Sequence, residues 1–119
     1  MGIAVQWDNS EQTVIRWDFE QVWSWDELAD SARVSSAMIA SRDSTINVIL
    51  NLAGTRSPFG KITAHHRSAF DYIPANLGNM VFVCRDEMDI AEMLMPFFPN
   101  YQVMKSLAQA RKHIELQIA

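Results

Sequence analysis

A single cysteine, Cys84, excludes an internal disulfide framework and any Cys-x-x-Cys redox or zinc site in this chain of 119 residues. Glycine and proline are equally sparse, four of each and in no linker-like tract, so no flexible linker is expected to divide the sequence. The whole of 1–119 is expected to form one domain. Lys and Arg total ten against fourteen Asp and Glu, and a net charge of -4 is a poor start for bulk phosphate neutralisation, so no nucleic-acid partner is expected. Long apolar runs are missing too. None approaches the roughly 18 residues that a membrane span requires. The amino end, M1-G-I-A-V-Q-W7, lacks a charged stretch followed by a long apolar one. A soluble, cytoplasmic protein without a membrane span is the expectation. Nothing in the chain calls for a cofactor or a metal.

The chain does have enough apolar residues, 49%, to fill a core. Residues 3–8 and 12–19 are β-prone runs around the turn-rich segment 8–12, which predicts a hairpin. Ser24 and Glu27 form a capping-box pattern, with the serine hydroxyl taking a free helix amide and the glutamate reaching back to the cap amide. Trp25, Leu28, Ala29, Ala32 and Ile39 then recur at helical spacing, so a helix should run to about Ser41. Residues 45–52 are β-branched with little polar alternation, as in a central strand covered on both faces. Ile62, His66, Ala69, Phe70 and Ile73 mark a second helix that Pro74 ends. Residues 80–84 read as a strand, 86–95 as a third helix with acids in its first turn, and 101–105 as a further strand. Ser106 should cap a last helix carrying Leu107, Ala110, Ile114 and Ile118. The order is ββαβαβαβα. It predicts an α/β domain with a single mixed, mostly parallel sheet of about five strands and four helices.

This order, the run T13-V-I-R-W-D-F-E-Q-V-W-S-W-D-E-L28 leading into the first helix, V48-I-L-N-L52 and S106-L-A-Q-A110 resemble the STAS superfamily, specifically its SpoIIAA-like group. The resemblance covers nearly the whole chain and implies a small cytoplasmic domain that works by binding. In the anti-sigma-factor antagonists of that superfamily, the connection after the third strand carries an Asp-Ser-Ser-Gly-type segment in which a kinase phosphorylates one serine. Here S57-P-F-G60 stands at that connection, and Asn51 replaces the usual Asp at the strand end. Ser57 is therefore the position a phosphoacceptor would take.

The same connection is the first candidate site on chemical grounds. Gly54, Thr55, Arg56, Ser57, Gly60 and Lys61 lie where strand ends meet a helix start, the place where open α/β sheets bind ligands. No acid interrupts the segment between Asp43 and Asp71, so it is locally positive and suited to an anionic small ligand or an acidic protein partner. An ordinary turn would use these residues as well: Ser57 as N-cap, Pro58 at the first helical position, Gly54 for the bend.

His65 and His66 are adjacent and point about 100° apart on a helix, so they do not share a metal shell. His66 lies on the apolar stripe and reads as a hydrogen-bonded, partly buried histidine. Cys84 ends its strand beside Arg85; an activated thiolate would need a lowered pKa, whereas most strand cysteines are small core residues. Met95, Phe97, Phe98 and Tyr101 belong to an apolar run broken by two prolines. They form a candidate interface with a protein partner, a second copy or lipid, or else fold back over the sheet edge. The four tryptophans read mostly as core, with Trp23 the first candidate among them for a surface position, since it precedes the helix cap.

Two functions lead, and a third, an enzyme using Cys84 or His65, ranks behind both. The first is a non-enzymatic regulatory or interaction domain using the loop 54–61 and the start of the second helix. The other is a small-molecule module that holds an anionic or amphipathic ligand between that loop and the turn 84–87.

Overall fold

The computed structural model describes residues 2–56, 62–71, 73–84 and 101–118. Along the chain come β1 (Ile3–Trp7), β2 (Val14–Phe19), α1 (Trp25–Ala40), β3 (Ile46–Asn51) and α2 (Ala64–Arg67), which runs into a 3-10 turn (Ser68–Phe70). β4 (Leu77–Val83), β5 (Tyr101–Met104) and α3 (Leu107–Ile118) follow. The strands form one five-stranded sheet in chain order, β1-β2-β3-β4-β5. The β1–β2 pair is antiparallel and the other three are parallel, so the mixed, mostly parallel sheet matches expectation. The helices match less well. Among the described residues there are three α-helices rather than four; the helix expected over 86–95 lies outside them.

Parallel neighbours in chain order, joined by crossovers of one hand, put their connecting helices on one face. α1, α2 and the 3-10 turn accordingly pack together on one side, while α3, which follows the last strand, covers the other. The period of two along each strand then divides the core. Ile15, Trp17, Ile46, Val48, Leu50 and Phe82 point under α1, whereas Val14, Ile49, Val81 and Val83 meet Ala110 and Ile114 of α3.

Local chemistry fixes the ends of the elements. The Glu27 amide donates to the Ser24 hydroxyl at 3.2 Å, as the capping pattern predicts. The Glu27 carboxylate departs from it. It accepts from the Gly2 amide and the Ser24 hydroxyl, so it joins the start of β1 to α1. At the other end of α1, the Asn76 side-chain amide donates to the carbonyls of Ile39, Arg42 and Ser44 at 2.8 to 3.1 Å, supplying donors to carbonyls that a helix end leaves open. The hairpin turn is held by Asn9, whose side-chain oxygen accepts from the amides of Thr13 and Val14 at 3.0 and 3.1 Å. Between β3 and β4 the register slips after Ile46, and the buried Asn47 accepts from the Asn79 amide at 2.8 Å. A Cβ at Gly78 would sit 2.5 Å from the Asn47 side-chain oxygen, so only glycine admits this approach.

Two expectations fail here. Trp23 is 3% exposed, not a surface residue. The 20–24 segment folds back over Gly2, and Trp23 meets Phe19 and Trp25 edge to face with ring centroids 5.2 and 5.3 Å apart. The second helix is also shorter than its stripe suggests, because Thr63 caps it and it tightens after Arg67; Ile73 lies beyond it and is half exposed.

Candidate functional site

β2, β3 and β4 end together, and the connection leaving β3 is fastened, as far as Arg56, to the one leaving β2. Leu52 is fully buried, and its amide donates to Val83 across the ladder at 2.9 Å. The chain then turns through Gly54, whose φ of +79° favours glycine. The Thr55 amide closes the turn on Leu52 at 3.2 Å, and its buried hydroxyl donates to the Glu20 carbonyl. The Arg56 amide donates to the Gln21 carbonyl at 3.1 Å. In the amide orientation that satisfies both groups, the Gln21 side-chain oxygen also accepts from the Arg56 guanidinium at 3.1 and 3.3 Å. Of the six predicted loop residues, Thr55 thus serves the turn, while Gly54 and Arg56 face solvent. Ser57, the candidate phosphoacceptor, lies outside the described residues, as do Gly60 and Lys61.

The chain returns at Ile62, which packs against the core. The Thr63 hydroxyl accepts from the His66 amide, and the His66 Nδ1 accepts from the Thr63 amide at 3.1 Å, a reciprocal cap with histidine in the usual glutamate place. An Nδ1 that accepts from an amide leaves the ring proton on Nε2, which meets the Asp26 carboxylate at 2.6 Å. His66 therefore ties α2 to α1, as a hydrogen-bonded and half-buried residue. None of the residues of α2 is buried, and His65 and Arg67 face solvent.

Cys84, at the end of β4, is buried in the α1-side core, and burial pushes its thiol pKa up. A protonated, enclosed thiol is a poor nucleophile. Among the described residues, no three His, Cys, Asp or Glu side chains are grouped to hold a metal ion, and no helix is long and apolar enough to cross a membrane. Of the four predicted interface residues only Tyr101 is described. It is exposed on β5, stacked edge to face on Phe82. Met95, Phe97, Phe98 and the 85–87 side of the proposed crevice lie outside the described residues.

One constellation was missed by sequence reasoning. On the α3 side of the sheet Arg16 bonds both Asp8 and Asp18, the latter at 2.8 Å. Asp18 also accepts from Gln6 at 2.7 Å and Asn51 at 3.1 Å, and Arg111 of α3 reaches Asp8 with two bonds of 2.7 and 3.0 Å. Burial pushes the Asp8 carboxyl up, but the hydrogen bonds from Arg111 and Arg16 outweigh it and hold the group below its ordinary 3.8. Asp18 behaves alike: burial raises it, and the bonds from Arg16, Asn51 and Gln6 bring it below its ordinary value. The local signal was present, because Arg16 and Asp18 are two apart on a strand and so share a face. The link to Arg111 had none.

Among the described residues, clefts open away from the 54–61 connection. One of about 280 Å³ lies between β1 and α1, lined by Ile3, Val5, Glu27, Asp30, Ser31 and Val34. Another of about 200 Å³ lies between the hairpin and α3, beside Asp8, Val14 and Arg111. Compared with protein-family models, with curated proteins and with solved structures, the chain has no match.

Proposed function

We propose that this chain is a non-enzymatic, STAS-like regulatory domain that recognises a protein partner through the connection 54–61 and the first turn of α2. One observation carries this reading. Among the described residues, the polar groups that could have converged on a small ligand, the Thr55 hydroxyl and the Thr63–His66 cap, are used internally, while Arg56 on the loop and Arg67 on α2, a helix with no buried residue, are exposed. An exposed cationic surface of this kind suits an acidic protein face, because complementary charge steers encounter and fixes register. The enclosed, protonated Cys84 thiol agrees with a binding role.

Native mass spectrometry of the protein purified from its own cells, with a denatured control, tests this. A complex with a second polypeptide that Arg56→Glu with Arg67→Glu disperses supports the reading. A small molecule of a few hundred daltons that leaves only on denaturation supports the ligand-binding alternative and sinks the first.

A further inference from the structure

The second surface is the free edge of β1. In the β1–β2 ladder the Glu20 amide donates to Gly2 at 2.8 Å and the Asp8 amide to Val14 at 2.7 Å. Hydrogen-bonded pairs alternate along an antiparallel ladder, so the even-numbered residues of β1 bond β2. Ile3, Val5 and Trp7 therefore aim their amides and carbonyls away from the sheet. No partner meets these groups among the described residues. Edge strands are commonly guarded by lysine, proline or a bulge. β1 has none of these: its sequence is IAVQW and its register is unbroken from Ile3 to Trp7.

Beside this edge lies the cleft between β1 and α1. Its floor is apolar, with Ile3, Val5 and a Val34 side chain that is 49% exposed, and its rim carries Glu27 and Asp30. Glu27 is met only by neutral donors, the Gly2 amide and the Ser24 hydroxyl, and no cation pairs with it among the described residues. Asp30 has a loose, exposed contact with Arg33 at 3.4 Å. From these observations we infer that β1 is a docking edge for an extended, basic segment of a partner protein. That segment adds as a sixth strand and lays alternate side chains in the β1–α1 cleft. Main-chain bonds to Ile3, Val5 and Trp7 hold it, and the cleft selects lysine or arginine, whose stems lie on Val5 and Val34 while the charged heads reach Glu27 and Asp30. A second copy fits less well, because two-fold pairing of β1 with β1 would bring Glu27 and Asp30 of both copies to the same axis, like charge against like. This surface is separate from the 54–61 connection and stands or falls without it.

The probe is an acetylated heptapeptide alternating lysine and valine, titrated into isotope-labelled protein and followed by amide shifts and hydrogen exchange. The expected result is perturbation confined to residues 3–7 and 27–34, with exchange at Val5 slowed about tenfold or more at saturation. The same peptide N-methylated at alternate residues should not bind, and its glutamate–valine counterpart should not bind. Asp30→Lys should weaken the lysine peptide roughly threefold, as for one exposed charge pair. Val5→Pro should abolish binding while keeping the β1–β2 ladder, since the Val5 amide points outward. Equal shifts from the N-methylated peptide, or shifts centred elsewhere, would overturn the assignment. So would slow exchange at Ile3, Val5 and Trp7 without peptide in a concentration-dependent dimer, which would give the edge to a second copy.

Discussion

The two faces of the sheet are built on different terms. Under α1 the side chains of β1 to β4 form one continuous apolar layer, and the neighbouring residues on the same strands, turned the other way, do not. There Val14, Ile49, Val81 and Val83 make a smaller apolar patch beneath α3, and next to it lies a chain of charges running from Asp18 through Arg16 and Asp8 to Arg111. Apolar burial is non-directional and sets how tightly the layers hold. The charged chain is directional. It makes the hairpin, the central strands and α3 meet in one arrangement, because Arg111 meets Asp8 only when α3 lies along the hairpin side.

The difference can be broken from either side. Leu50→Ala, on the α1 face of the central strand, should cost about 3 kcal/mol or more, through lost burial and an unfilled cavity, read as a lower urea midpoint with an unchanged slope. Asp8→Asn should cost less, about 1–3 kcal/mol, since it leaves Arg111 without its carboxylate and Arg16 with Asp18 alone. Arg111→Ala should cost less again, about 0.5–1 kcal/mol, because that side chain is 46% exposed and water replaces part of the loss.

The pH dependence follows from the same network. Asp8 and Asp18 sit below their ordinary carboxyl value when folded, so their contribution to stability is present above about pH 4 and disappears as pH falls through the folded values. Denaturation of the parent protein at successive pH values should show this fall, and Asp8→Asn should flatten it. If the substituted protein keeps the parent's full acid dependence, the network is not its source.

The elements were more legible than the contacts between them, for a reason of distance along the chain. Strand identity, the Ser24 cap, the Ser106 cap and the helical stripe of α1 depend on neighbours within a few residues, and each was readable. The placement of Trp23 depends on Gly2, and the closing of α2 depends on a histidine in a capping position usually held by glutamate or glutamine, so neither carries the common local signal. The Asp8–Arg111 bond joins residues 103 apart, with nothing local at either end to announce it. Of the candidate loop, its position was readable from element order. That Thr55 would turn inward and Arg56 outward was not, because the partners of both, Glu20 and Gln21, belong to the connection after β2.

The recognition surface we propose for the 54–61 connection lies on neither face and apart from the β1 edge, at the end where β2, β3 and β4 finish. Photo-crosslinking in the cell tests this most directly, with the reactive residue placed at Arg56 in one protein and at Ala37, on the exposed side of α1, in another. The account predicts a discrete protein adduct from position 56, absent from position 37 and lost when Arg67→Glu is added. Equal adducts from both positions, or one from position 37 alone, would contradict it.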